Sequence, residues 1–163
     1  CGSTLVEYGG LLKDDPDWAK RAEAFSAKVK DLVTWLDSSR FALSGSGAKV
    51  TYHDACHLAH AQGITAEPRE LVKAKSGGEL VELAESDLCC GSAGSYNLTE
   101  PEMASRLQKR KVQNIIDSGA ELVVTTNPGC LLQIQAGLRK AGAHHIRALQ
   151  IADYPPAAGT TDD

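Results

Sequence analysis

The sequence predicts an α/β domain whose mostly parallel four-stranded sheet is flanked by helices and preceded by an N-terminal linker helix. From residue 48 onward, short β-branched or apolar runs alternate with segments of helical periodicity, which is typical of strand–helix–strand units. Such units place their strands side by side and parallel. The 163 residues are enough for one domain with a substantial core.

Residues 14–36 predict one long amphipathic helix. Asp14 and Asp15 can cap its first turn, where Pro16 is also favourable. Its apolar residues recur every three or four positions: Trp18, Ala22, Phe25, Val29, Leu32, Val33 and Leu36. This helix either packs on the sheet of its own domain or docks between this domain and another one.

The chain from residue 48 to residue 154 alternates strands and helices. Strands are predicted at 49–53, 79–83, 122–126 and 145–149, and helices at 56–63, 68–75, 99–119 and 127–142. Asp54 is expected to cap the first of these helices, and Thr99 with Glu102 to form a capping box at the third. The Pro-, Gly- and Asp-rich residues 155–163 are predicted to be a disordered tail.

The composition argues against several classes of protein. The formal net charge of −4 is unlike that of a nucleic-acid-binding protein, and no apolar run is long enough to span a membrane. Five cysteines, an odd number, without a secretion signal argue against a disulfide framework and favour the cytoplasm. Because the chain starts with Cys1 rather than Met, we interpret residues 1–47 as the tail of a preceding domain followed by the linker helix.

Four of the cysteines follow predicted strands. The first three strands are followed by Cys56, by the adjacent pair Cys89 and Cys90, and by Cys130. The loops that leave parallel strands meet at the carboxyl edge of the sheet, so we expect the four thiols to face one crevice. Four thiolates suit a 4Fe–4S cluster or one tetrahedral zinc ion. A thiol redox switch that uses Cys89 and Cys90 is a third interpretation.

Small residues follow the cysteine pair. Gly91 and Gly94 lack the context of a P-loop or of a dinucleotide-binding loop. We expect them instead to let backbone N–H groups approach a bound cofactor and donate to the sulfur of a cluster.

Two groups of cationic or titratable residues have less specific interpretations. His53, His57 and His60 surround Cys56 in the sequence, where one of them either ligates or tunes a metal or all of them occupy ordinary core and surface positions. A basic run on the helix at 99–119 is interpreted as a solvated face or as a docking patch for an acidic partner. It consists of Arg106, Lys109, Arg110 and Lys111.

Three motifs together resemble the cysteine-rich domain, also called the CCG domain. They are Asp54-Ala55-Cys56-His57-Leu58, Cys89-Cys90-Gly91 and Asn127-Pro128-Gly129-Cys130, and the resemblance covers about residues 48–154. The chain is most similar to the C-terminal copy of this domain in the iron–sulfur subunit of glycolate oxidase. The domain also occurs in lactate-utilisation, glycerol-3-phosphate and heterodisulfide reductase systems. One difference is Gln133, which stands where the family often has a further cysteine.

The resemblance implies the iron–sulfur electron-transfer subunit of a flavin-dependent 2-hydroxy acid (glycolate) oxidase, with an acceptor such as a quinone. Its implied metal ligands are Cys56, Cys89, Cys90 and Cys130, which hold a 4Fe–4S cluster, with structural zinc as the alternative. The implied partners are an FAD-containing subunit and the preceding cysteine-rich and ferredoxin-like domains of the full chain. The implied location is the cytoplasm or the inner face of the membrane, and no catalytic residue is expected in this chain.

Overall fold

The fold is described from a computed structural model, which covers residues 2–36, 47–76 and 79–154. The N-terminal part contains helices α1 (Gly2–Leu11), α2 (Ala19–Ser26) and α3 (Leu32–Trp35). Then follow β1 (Val50–His53), α4 (Cys56–Gln62), α5 (Ala66–Ser76), β2 (Leu80–Val81), α6 (Tyr96–Thr99) and α7 (Pro101–Asp117). The chain continues with β3 (Leu122–Thr125), α8 (Pro128–Lys140), β4 (Arg147–Gln150) and a 3-10 turn (Ile151–Asp153). Cys1 and the predicted disordered tail at 155–163 lie outside the described residues.

The predicted four-stranded parallel sheet is confirmed. Its strand order is β2-β1-β3-β4, and every neighbouring pair is parallel. The central pair, β1 and β3, is in register from Val50 opposite Leu122 to His53 opposite Thr125. After β1 the chain continues to β2 at one edge of the sheet, and after β3 it continues to β4 at the opposite edge. The strand order therefore reverses between β1 and β3. In open α/β sheets this reversal opens a crevice at the carboxyl ends of the strands.

Helices cover both faces of the sheet, and the alternation of side chains along the strands decides what each face carries. On one face, Val50 and Tyr52 pack in a buried cluster with residues of α3, α4 and α5. On the other face, Val123 packs with residues of α7 and α8. All four residues of β1 are buried, as expected for a central parallel strand. His53 therefore lies on the α7 and α8 face, next in alternation to Tyr52.

The prediction of one helix over 14–36 is wrong. The segment holds two shorter helices, α2 and α3, and it is preceded by α1, which was not predicted. α2 ends at Ser26, and Asp31 starts a separate helix, because its side chain accepts the N–H of Val33 at 3.1 Å and caps α3. Ser26 ties α2 to α1, donating to the carbonyl of Leu5 at 3.1 Å and accepting from Gly9 at 2.9 Å. The apolar stripe of α2 thus faces α1 and solvent, and Phe25 stacks on Tyr8.

Two capping predictions are also wrong. Thr99 lies at the end of α6, and α7 starts at Pro101 after Glu100, which makes no capping bond through its side chain. The residue that precedes α4 is Ala55, and the carboxylate of Asp54 is bound elsewhere, by Arg69. The strand ends shift as well, because β2 comprises only Leu80–Val81 and β4 begins at Arg147.

Within the described ranges, no helix is both long enough and apolar enough to cross a membrane.

Candidate metal centre

Cys56 and Cys130 lie in the first turns of two helices that leave the central strands. α4 begins at Cys56, three residues after the end of β1. α8 begins after β3, and its N-cap Asn127 accepts the N–H of Cys130 at 3.0 Å through its side chain. The two helices cover opposite faces of the sheet, because Leu58 of α4 and Ile134 of α8 belong to different core clusters. Both cysteines therefore lie at the carboxyl edge of the sheet, beside the point where the strand order reverses.

The loop after β2 carries the cysteine pair across the end of β1. Its Ser86 accepts the N–H of Asp54 through the backbone carbonyl at 3.1 Å. Asn114 of α7 donates to the carbonyl of Ala84 at 2.9 Å. Because the loop reaches the α7 side of the sheet, Cys90 is buried among the residues of that core cluster. The pair thus lies near the middle of the edge, although its own strand is the outermost one.

The tightest group of possible metal ligands consists of His53, Cys90 and Cys130. One ligand atom from each lies within 4.8 Å of the others, and all three residues are buried. Cys56 and Cys89 are half-buried and lie outside this compact group. After the contact with Cys90 and burial, thiolate charge at Cys56 and at Cys89 contributes to the raised pKa of Cys130. The structure therefore brings Cys90 and Cys130 together with His53, and it leaves Cys56 and Cys89 outside this compact group.

The buried thiols of Cys90 and Cys130 shift each other's pKa in opposite directions. The hydrogen-bonding thiol of Cys130 lowers the pKa of Cys90, with a smaller contribution from His53 and against the effect of burial. The same contact and burial raise the pKa of Cys130. Burial also raises the pKa of Cys89, although the N–H of Gly91 donates to its sulfur at 3.3 Å. A metal cation at this edge would compete with these protons, because thiolates are the binding species.

The two predicted cofactor glycines differ in their surroundings. Gly91 has a φ of +91°, and a Cβ at this position would lie 2.4 Å from the carbonyl oxygen of Ala104 in α7. Gly94 has a φ of +61° but has no heavy atom within 4 Å of such a Cβ. Close approach to α7 thus gives Gly91 a structural reason to be glycine, and the binding of a cofactor by either residue stays a prediction.

Sequence reasoning missed a partly buried ion pair after β1. Arg69 binds the carboxylate of Asp54 through two nitrogens, at 2.9 and 2.6 Å, and also donates to the hydroxyl of Ser86 at 3.2 Å. Burial disfavours the charged carboxylate, but Arg69 prevails and the pKa of Asp54 is lowered. Nothing in the sequence distinguishes this role of Asp54 from that of a helix cap, because both suit an aspartate after a strand.

The predicted solvated basic face is wrong for Lys111. Arg106, Lys109 and Arg110 are exposed, whereas Lys111 is completely buried. Its ammonium group donates to the backbone carbonyls of Glu85 and Ser86, in the loop that carries the cysteine pair. Burial lowers the pKa of Lys111 to about 8, although nearby negative charges oppose the shift. The helical period was a usable signal, because Lys111 falls on the buried stripe of α7 with Ala104, Gln108, Val112 and Ile115.

The residues at this edge fit a thiolate-bound metal centre. Both ring nitrogens of His53 are buried, and within the described residues neither has a hydrogen-bond partner. The hydroxyl of Thr125, which lies opposite His53 on β3, is also buried and also lacks a hydrogen-bond partner among the described residues. Buried polar atoms usually have a partner, so orphaned atoms beside a group of thiols indicate a bound group. Thiolate and imidazole donors suit zinc and iron–sulfur clusters and do not suit magnesium or calcium.

Many known proteins are similar to the chain, among them the following three. It is 42% identical over 158 residues to the probable glycolate oxidase iron-sulfur subunit of Bacillus subtilis (strain 168), which covers 94% of this chain and 36% of that protein. The glycolate oxidase iron-sulfur subunit of Escherichia coli (strain K12) is 36% identical over 156 residues, which is 93% of this chain and 38% of that protein. Lactate utilization protein A of an Exiguobacterium species is 35% identical over 156 residues, with 94% and 63% covered. The chain thus spans less than two thirds of each relative.

A family model, that of the cysteine-rich domain, matches residues 50–135. The matched segment runs from the first residue of β1 into α8 and takes up just over half of the chain. It contains His53 and all four cysteines of the sheet edge. The chain therefore belongs to the cysteine-rich domain family.

Proposed function

We propose that this domain holds an iron–sulfur cluster and transfers electrons within a flavin-dependent 2-hydroxy acid oxidase such as a glycolate oxidase. The observation that carries the proposal is the compact, buried group of His53, Cys90 and Cys130 at the edge of the sheet where α4 begins with Cys56. Cys90 and Cys130 belong to the compact ligand group, and Cys56 and Cys89 lie close enough to act on them electrostatically. The iron–sulfur subunits among the similar proteins support the choice of iron over other metals.

In this proposal Cys56, Cys89, Cys90 and Cys130 supply the thiolate ligands. A 4Fe–4S cluster bound there would accept and release one electron at a time. The protein contributes burial, which excludes water around Cys90 and Cys130, and backbone donors near the sulfurs. The N–H of Gly91, which donates to the sulfur of Cys89, is one such donor. Hydrogen bonds to ligand sulfur stabilise the reduced and more negative state, so they raise the reduction potential.

The substrate is oxidised elsewhere in the proposed complex. We infer that an FAD-containing partner subunit oxidises the 2-hydroxy acid and passes electrons through this domain to an acceptor such as a quinone. The free thiols of the described cysteines agree with a cytoplasmic location, including the inner face of the membrane.

The test of the proposal is the metal content and the EPR spectrum of the protein purified without oxygen, together with its flavin partner. We expect about four irons and about four sulfides for the cluster of this domain, and an EPR signal after reduction. Cys130→Ser should remove this signal, and Ser92→Ala, a neighbouring change without loss of a thiol, should retain it. A wild-type protein without iron, or a signal that survives Cys130→Ser, would refute the proposal.

One observation favours a second candidate, a structural zinc site. Two sulfur ligands of one tetrahedral zinc, each about 2.3 Å from the metal, lie about 3.8 Å from each other. Sulfur ligands that bind different irons of a cluster lie farther apart. The compact group of His53, Cys90 and Cys130, within 4.8 Å, is near that spacing. The candidate predicts about one zinc per chain, no visible absorbance and no EPR signal.

A further inference from the structure

His53 is placed at the site by the geometry of β1. It is the last residue of the strand, and it faces the side of the sheet that α7 and α8 cover. Only 1% of its surface is exposed. One of its ring nitrogens lies within 4.8 Å of the sulfurs of both Cys90 and Cys130. The imidazole therefore belongs to the same pocket of ligand atoms as the two most buried thiols.

The protein itself leaves the imidazole unsatisfied. Among the described residues, no group meets the distance and angle of a hydrogen bond at either ring nitrogen of His53, although the imidazole lies close enough to Cys90 to act on its thiol. A buried polar atom without a partner destabilises the folded state, so a side chain with two such atoms needs another explanation. Coordination of a metal by one nitrogen supplies it. The other nitrogen then lies on the same sheet face as the hydroxyl of Thr125, which is opposite His53 in the register and also has no described partner.

We propose that His53 is a ligand of the metal centre and binds through one ring nitrogen beside Cys90 and Cys130. This inference rests on the metal-binding part of the proposed function, but it does not depend on the choice between iron and zinc. The centre then has five protein donors, four thiolates and one imidazole, which is one more than a cubane cluster or a tetrahedral zinc requires. The experiment must therefore detect the bond of His53 itself and not count ligands.

The chain offers a matched control in His57. The ring nitrogens of His57 are also buried and have no hydrogen-bond partner among the described residues, and His57 directly follows Cys56 in the sequence. However, His57 does not belong to the compact ligand group. Both His53→Gln and His57→Gln remove an imidazole whose nitrogens are buried, but only His53→Gln removes a proposed metal ligand.

The first measurement is pulsed EPR of the reduced full-length protein, made once with natural histidine and once with ¹⁵N-histidine. We expect a strong nitrogen coupling that changes with the isotope, disappears in His53→Gln and persists in His57→Gln. Weak couplings alone, unaffected by labelled histidine, would overturn the inference. The isotope comparison uses the wild-type protein, so an absent histidine coupling overturns the inference even if His53→Gln does not fold.

The second measurement uses cobalt(II) alone as the probe, added to metal-free protein. We expect His53→Gln to weaken cobalt binding at least about tenfold and to change the ligand-field spectrum, and His57→Gln to leave both unchanged. A merely structural role of His53 would lower thermal stability without changing the cobalt spectrum, which would overturn the inference.

The two measurements separate the inference from the proposed function. If the reduced protein contains a cluster but shows no histidine coupling, the inference fails and the proposed function stands. If the protein binds cobalt and zinc through His53 but assembles no cluster, the proposed function fails and the inference stands. If it binds neither iron nor cobalt, both fail.

Discussion

Replacement of Gly91 by alanine tests the packing of the cysteine loop against α7. The backbone at Gly91 has a φ of +91°, where a side chain is strained. The added Cβ would also meet three backbone atoms of Ala104: the carbonyl oxygen at 2.4 Å, the carbonyl carbon at 3.1 Å and the Cα at 3.2 Å. Because all three atoms belong to a helix, no flexible side chain can move aside. The loop or α7 must shift.

The expected loss combines these two effects. An unfavourable φ costs about 1–3 kcal/mol, and overpacking in a rigid region costs about 1–3 kcal/mol. Gly91→Ala should therefore lower the free energy of unfolding by about 2–6 kcal/mol. That is a large fraction of the 5–15 kcal/mol that is usual for a folded domain. Because Gly91 directly follows Cys90, the shift should also displace the cysteine pair.

The assay is urea denaturation of the metal-free variants, with Gly94→Ala as the control. Gly94 also has a positive φ, of +61°, but its added Cβ meets nothing within 4 Å. It should lose only about 1 kcal/mol, partly offset by the reduced entropy of the unfolded chain. Equal losses in the two variants would show that strain at φ is the whole effect and would refute the argument from contact with α7.

Two further predictions concern the buried charges around the loop. Asp54→Asn should lower the free energy of unfolding by about 1–3 kcal/mol, because it removes the buried carboxylate that binds two nitrogens of Arg69 and leaves exposed Glu82 as the ion-pair partner. Glu82→Gln should cost less than about 1 kcal/mol in the same urea assay. Since the folded state lowers the pKa of Asp54, the wild-type protein should lose this stability as the pH falls below the ordinary pKa of that carboxyl group, 3.8. Asp54→Asn should not show this loss, and equal acid sensitivity of the two proteins would contradict the prediction. For Lys111, the folded state lowers the pKa from 10.5 to about 8, so the unfolded chain binds more protons between these values. The stability of the wild type relative to Lys111→Met should therefore rise by about 2 kcal/mol from pH 8 to pH 10.5, and a flat difference would contradict the burial of the charge.

The sheet and the cysteine loops could be predicted from the sequence because they depend on local patterns. Runs such as Leu122–Thr125 are apolar and β-branched, and they are buried on both faces as the sequence indicates. Once strands and helices alternate, parallel pairing and a shared carboxyl edge follow from the chain connections. The prediction that Cys56 and Cys130 begin at this edge therefore needed no tertiary information.

Other features depend on contacts between segments that are far apart in the sequence. The alternation along β1 could have placed His53 on one sheet face, but its distance from Cys90 depends on how the loop after β2 crosses β1. That crossing depends on Asn114, 30 positions away from the carbonyl it binds. The N-terminal prediction failed for a different reason. The apolar residues of this segment recur at helical spacing, but packing against α1 and the cap at Asp31 stabilise two separate helices instead of one continuous helix.

The buried charges explain how the cysteine pair can be held in place by protein groups alone. Ser86 lies three residues before Cys89, and it is bound from three directions: by the N–H of Asp54, by Arg69 and by Lys111. Buried ion pairs and buried lysines add little net stability, because desolvation offsets most of their attraction. Their effect here is positional, since each of them anchors the same turn of the loop. The entropic cost of ordering the cysteine loop is therefore part of the free energy of folding. It does not reduce the free energy of metal binding at this loop.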